Sequence, residues 1–166
     1  MKPDAIDEPG MLETDLIPVR TLQESDLNAV VAIDTASSGR RRPRYFELML
    51  ERAVKHSALQ VSLVAELDGR VAGFLLATLY YGEFGVVEPT CSLEAIGVDP
   101  RYRRRHVGHA LMRQLRLNLG ALRIATLRTE AAWDDFELLA FFRREGFVPA
   151  GRLCLESHLN PTAPSD

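Results

Sequence analysis

Residues 94–119 read EAIGVDPRYRRRHVGHALMRQLRLNL, and the order of residue types in this stretch governs how the rest of the chain is read. An apolar strand stops at Asp99-Pro100, arginines crowd the turn, and a helix begins near Gly108 with Val107, Ala110, Leu111 and Leu115 on one apolar face. The first N–H groups of a helix lack intrahelical acceptors and lie at the positive end of its dipole, so such a junction is shaped to hold an anion. Gly108, with no Cβ, lets a pyrophosphate approach the backbone closely. The arginines alone would suit a solvated strand-to-helix connection; combined with the strand, the Val-x-Pro and the glycine, they favour the anion site.

Working outward, residues 61–67 alternate apolar and polar, Asp68-Gly69 supplies a two-residue turn, and residues 71–79 resume an apolar run, which predicts a hairpin. Strand 92–98, the helix opened by Gly108, Gly120 and a strand over 124–129 form a parallel crossover unit. Upstream, residues 17–20 read as a short strand. Thr21 and Glu24 have capping-box spacing ahead of a helix bearing Leu27, Val30 and Val31, which stops by Gly39. Phe46, Leu50, Ala53 and Val54 recur at helical spacing over 44–56. Downstream, Asp134 and Glu137 are read as capping a last helix that Gly146 ends, before strands near Phe147 and over 152–158. Residues 1–15 read as an acidic tail, 160–166 as frayed, and 16–159 as a single domain.

At 166 residues and 46% hydrophobic content the chain suffices for one sizeable core. A net charge of −3 gives no global attraction to nucleic acid or to an anionic membrane, so neither is expected as a partner. Cys91 and Cys154 form no disulfide framework and read as small buried hydrophobes in a reducing, cytoplasmic compartment. The four histidines, His56, His106, His109 and His158, have no metal spacing, and no metal is expected.

Val98-Asp99-Pro100 followed by Arg103-Arg104-Arg105-His106-Val107-Gly108 resembles the acetyl-CoA signature of the GNAT N-acetyltransferase family. There a strand ends Val-x-Pro, and Arg/Gln-x-x-Gly-x-Gly/Ala opens a helix. His106 stands at the first glycine position, where a positive φ would be met at some cost. A match shifted by two residues also keeps Gly108 at the phosphate. The resemblance covers about residues 17–158. It implies an α/β fold with a mixed, mostly antiparallel sheet of about six to seven strands and helices on both faces. The central parallel pair splays so that acetyl-CoA, as cosubstrate, enters from one side and an amine acceptor from the other. A homodimer is compatible with this reading.

The resemblance further implies that Arg103, Arg104, Arg105, His106, Val107, Gly108 and His109 meet the pyrophosphate. The backbone of Ile96 and Val98 would pair with the pantetheine arm, and the N–H of Gly97 or Val98 would polarise the thioester carbonyl. An alkylamine is mostly protonated at neutral pH, so acetyl transfer needs a base. Glu94, expected on the strand face of Ile96 and Val98, is the candidate. Asp135 and Phe142 occupy positions near the cofactor where the family often has asparagine and a tyrosine acid. A phenyl ring donates no proton, so the acid is unassigned, with Tyr80 and Tyr81 the next candidates. The acceptor entrance is expected among residues 37–45, 80–89 and 129–134. The departures at Asp135 and Phe142 keep a noncatalytic acyl-CoA sensor as the alternative, and the arginine clusters keep a nucleic-acid binder as a weaker one.

Overall fold

The computed structural model describes residues 17–55, 59–82, 85 and 87–159. By contacts the chain divides into two compact units, Met1–Ala132 and Trp133–Asp166. The tails at 1–15 and 160–166, and His56, lie outside the described residues.

The first unit holds one mixed sheet of five strands in sequential order: β1 (Val19–Thr21), β2 (Leu63–Leu67), β3 (Arg70–Tyr80), β4 (Thr90–Val98) and β5 (Thr126–Thr129). Neighbours pair antiparallel except β4 and β5, which run parallel through the crossover helix α3 (Val107–Ala121). Asp68 and Gly69 join β2 to β3 with φ of 53° and 69°, the two positive values of a turn whose twist matches the flanking strands. The helix α1 (Leu27–Ser38) ends at Gly39, whose φ of 69° sends its N–H back to the Thr35 carbonyl. Pro43 opens α2 (Pro43–Lys55), at the position where a missing N–H costs no helical bond.

Two glycines show how the layers close. A Cβ on Gly97 would lie 2.6 Å from Phe74 Cε1 and 3.2 Å from Ile33 Cγ2, so this face of the sheet carries α1 and α2. Leu22, Val30, Ile33, Phe46, Leu50, Val64, Phe74 and Leu76 fill that core, with Phe46 set edge-on to Phe74 at 5.7 Å. A Cβ on Gly73 would lie 2.7 Å from Val107 Cγ1, so α3 closes on the opposite face, with Ala110, Leu111, Met112 and Leu115 buried.

The structure corrects several boundaries. The capping interaction starts two residues later than the Thr21-Glu24 spacing suggests: the buried Asp26 carboxylate accepts from Gln23 N–H at 2.8 Å, across a short 3-10 turn ahead of α1. Gly120 lies inside α3 rather than ending it; the chain turns at Arg123, with φ of 57°, and β5 begins at Thr126, not Ile124. In the second unit, α4 (Phe136–Arg144) is capped by Asp135, which accepts from Leu138 N–H at 3.1 Å, instead of by Asp134. Gly146 (φ 82°) ends this helix as expected. No strand forms at Phe147 or over 152–158, so the described residues form five strands where six to seven were expected. Cys91 is buried as expected, whereas Cys154 is exposed.

Candidate active site

The register between β3 and β4 slips once. Leu76 pairs with Ala95 and Ala77 with Leu93, so Glu94 is the extra residue of a β-bulge. The bulge overturns the expectation that Glu94 shares a face with Ile96 and Val98. Ala95 packs on the α1–α2 core and Gly97 abuts Phe74 and Ile33, so Ile96 and Val98 point to the α3 side. Glu94 turns to the α2 side, where it lines a cleft of ≈ 570 Å³ with Met49, Arg52 and Ala53 of α2, Leu59, and Ala77 to Tyr81. There the Tyr80 hydroxyl donates to Glu94 Oε1 at 3.3 Å, and the Arg128 guanidinium lies 5.5 Å over the Tyr80 ring.

The charge on Glu94 reaches its neighbours. Burial, above all, raises the Cys91 thiol to about 12, with the Glu94 charge adding to it, which makes Cys91 a poor nucleophile. Tyr45 is likewise raised, chiefly by burial, against the lowering influence of Arg42.

Beyond the bulge the sheet opens. Parallel pairing of β4 with β5 runs only from Thr90↔Thr126 to Leu93↔Thr129, where Thr129 Oγ1 donates to the Leu93 carbonyl at 2.9 Å. Among the described residues, Ala95 to Val98 pair with β3 alone. Asp99 N–H donates to Ala72 of β3, and successive N–H groups along a strand alternate sides, so Gly97 N–H also turns toward β3. The N–H groups of Ile96 and Val98 therefore line the open edge.

The arginine-rich turn is built tightly. Arg101 binds the Asp99 carboxylate with two guanidinium nitrogens, the nearer at 2.6 Å, and this pairing is the main cause that holds Asp99 below the ordinary carboxylate range. Arg101 and Arg105 both lie over the Tyr102 ring, at 5.8 and 5.4 Å. Arg104 and His106 adopt left-handed backbone, with φ of 62° and 60°. The positive φ at the expected glycine position thus falls on a histidine, and His106 is the residue that caps α3. The helical ladder begins with Ala110 N–H donating to the His106 carbonyl at 2.9 Å, which leaves the N–H groups of Val107 and Gly108 ahead of it. Val107 is buried, Gly108 half-buried, and Arg103, Arg104, Arg105, His106 and His109 are exposed. Arg105 also pairs with Asp68 at 3.8 Å. An exposed helix start preceded by the arginines 103–105 can hold a phosphate, and it lies on the strand-to-helix junction that follows the open edge.

The expected entrance loops differ in character. Arg42 is held by Asp34 at 2.6 Å and lies over Tyr45, Arg44 pairs with Glu47, and Trp133, in the second unit, is 90% exposed. Asp135 and Phe142 also belong to the second unit. Asp135 is engaged as the helix cap, and Phe142 is buried with the rings of Phe141 and Phe147 at 5.5 and 5.0 Å. Sequence reasoning missed Arg52, Met49 and Leu59, whose place in the cleft depends on tertiary packing; the nearest signal was the amphipathic pattern of α2. Among the described residues, no group of three or more His, Cys, Asp or Glu is arranged to hold a metal, and no helix is long and apolar enough to cross a membrane.

Similar architecture recurs among solved acetyltransferases. The ribosomal-protein-S18-alanine N-acetyltransferase of Escherichia coli is 23% identical, with 81% of this chain and 79% of that one covered at a TM-score of 0.66. An aminoglycoside antibiotic 6'-N-acetyltransferase of Acinetobacter baumannii is 21% identical, covering 87% and 99%, at a TM-score of 0.71. An aminoglycoside N-acetyltransferase in complex with CoA is 17% identical, covering 86% and 94%, also at 0.71. These likenesses carry the fold. The sequence model of the acetyltransferase (GNAT) family matches residues 27–147, from the start of α1 past the end of α4, and by that match the chain belongs to the GNAT acetyltransferase family.

Proposed function

We propose that the protein transfers the acetyl group of acetyl-CoA to a primary amine by direct attack, with Glu94 as general base and residues 16–159 acting as one domain. The observation that carries this reading is the position of the Glu94 carboxylate. It sits in the bulge where β4 parts from β5, in a cleft able to admit an amine, and Tyr80 orients it. The exposed turn from Arg103 to His109, with Gly108 at the helix start, suits the pyrophosphate, and the open edge at Ile96 and Val98 suits the amide-bearing pantetheine arm. Asp135 and Phe142 are carried as cofactor neighbours by the family resemblance.

The chemistry then runs in three steps. An acceptor ammonium with a pKa of about 10 loses a proton to Glu94, directly or through water. The freed nitrogen attacks the thioester carbonyl, forming the C–N bond, and the oxyanion takes a hydrogen bond from Val98 N–H. Of the two backbone donors considered, Val98 is preferred because Gly97 N–H turns toward β3. The C–S bond breaks as the carbonyl re-forms, the second proton on the acylated nitrogen passes through water to the departing thiolate, and that thiolate, the anion of a thiol with a pKa of about 8.5, leaves without a protein acid. Tyr80, bonded to Glu94, is a positioning residue; Tyr81, 66% exposed, lines the same cleft.

Calorimetry and thiol release test the two halves separately. Acetyl-CoA binds the wild type, and Gly108→Asp, which sets a carboxylate against the pyrophosphate, abolishes binding. Glu94→Gln lowers kcat/KM by about 10²–10³ with acetyl-CoA affinity unchanged. Undiminished binding by Gly108→Asp would refute the phosphate site. Cofactor binding without thiol release on any amine would leave the acyl-CoA sensor as the better reading.

A further inference from the structure

We propose that the acceptor is an amine that carries an anionic group of its own, a carboxylate or phosphate, on an otherwise apolar body. This rests on the acetyltransferase reading of the same cleft and names the substrate class that the cleft accepts.

The inference starts from the charges around Glu94. Among the described residues, Arg52 and Glu94 are the two charged side chains lining the cleft. On α2, Arg44 pairs with Glu47 at 3.5 Å, and Lys55 pairs with Glu24 at 3.4 Å. The Arg52 guanidinium has no such partner among the described residues. Among the described residues the cleft therefore holds one carboxylate and one guanidinium.

A polycation that brings one ammonium to Glu94 would set another against Arg52. An amine tethered to an anion meets complementary charges instead: its ammonium turns to Glu94, and its anion receives the planar, multi-donor guanidinium of Arg52. Apart from Thr78, Tyr80 and Tyr81 the rest of the lining is apolar, with Met49, Ala53, Leu59 and Leu79, which favours a hydrocarbon or aryl body over a sugar. A volume of ≈ 570 Å³ admits a molecule of metabolite size.

The test is binding to the CoA-saturated protein, read by calorimetry, so it does not depend on turnover. The probes are L-phenylalanine and para-(aminomethyl)benzoate, their uncharged-body counterparts phenethylamine and benzylamine, and spermidine as the polycation. At least one carboxylate-bearing amine should bind about tenfold tighter than its counterpart, with spermidine weakest, and Arg52→Ala should erase that preference. An unchanged CoA affinity reports that the variant is folded. Tighter binding of spermidine or of the counterparts, no binding of either carboxylate, or a preference that survives Arg52→Ala would overturn the proposal. Thiol release is followed in parallel: an anionic amine that binds through Arg52 without releasing CoA counts against the acetyltransferase reading and leaves the ligand class standing.

Discussion

Gly97 and His106 occupy neighbouring stretches and obey opposite rules. Gly97 is glycine because of its surroundings: its backbone is ordinary strand, but Phe74 and Ile33 fill the space a Cβ would take. Gly97→Ala should therefore destabilise the protein by about 1–3 kcal/mol through overpacking, measured by urea denaturation, although alanine is otherwise harmless in a strand. His106 is not glycine although its φ of 60° asks for one. A left-handed backbone costs an L-residue about 1–2 kcal/mol, and histidine is among the side chains found there more often than most. The family pattern located this position, but a pattern of letters does not say whether a departure changes the backbone. Here the backbone keeps the positive φ and the histidine accommodates it. Arg52 shows the complementary limit: a helical arginine looks solvated in any one-dimensional reading, and only the sheet beside it makes it a wall of the cleft.

At the scale of elements, the strongest local device is the Arg20–Asp26 pair. Arg20 on β1 binds both Asp26 oxygens, at 2.8 and 2.9 Å, and reaches Glu66 of β2 with its Nε at 2.8 Å, tying the sheet edge to the entry of α1. Burial pushes the Asp26 carboxyl up, but Arg20 and the Gln23 N–H together outweigh it and hold it low. A carboxyl lowered in the folded state contributes stability that is present above its unfolded value of about 3.9 and is lost as pH falls through the folded value. Asp26→Asn should therefore be less stable at neutral pH and lose less stability on acidification below about pH 4, followed by urea unfolding across pH. Elements specified by short-range periodicity were legible from the residues: α2, the hairpin at Asp68-Gly69 and the opening of α3 all lie within two residues of their expected places, and α1 stops at Gly39 as expected although it begins later, at Leu27. Those that depend on a distant partner were not. An extra residue at Glu94 leaves no mark in the alternation of β4, because a bulge exists only in the pairing with β3. Leu153, Leu155 and Leu159 do alternate like a strand, but alternation is a property of one segment and pairing is a property of two.

The whole molecule combines a sheet that opens at Leu93↔Thr129 with an anion-attracting turn at the end of the same strand. If acetyl-CoA binds the folded chain alone, a concentration of about 100 Kd adds about 2.7 kcal/mol of stability. For a chain of this size that corresponds to a rise in Tm of about 5–10 °C by differential scanning fluorimetry, which Gly108→Asp should lose. The short parallel pairing has a further, kinetic consequence. Since among the described residues Ala95 to Val98 have no strand to release on the β5 side, an incoming chain that adds there breaks no strand pairing of the sheet. Association is then set by encounter with the arginine turn rather than by a gating step, so its observed rate should rise linearly with ligand concentration without a plateau and slow as salt screens the guanidinium groups.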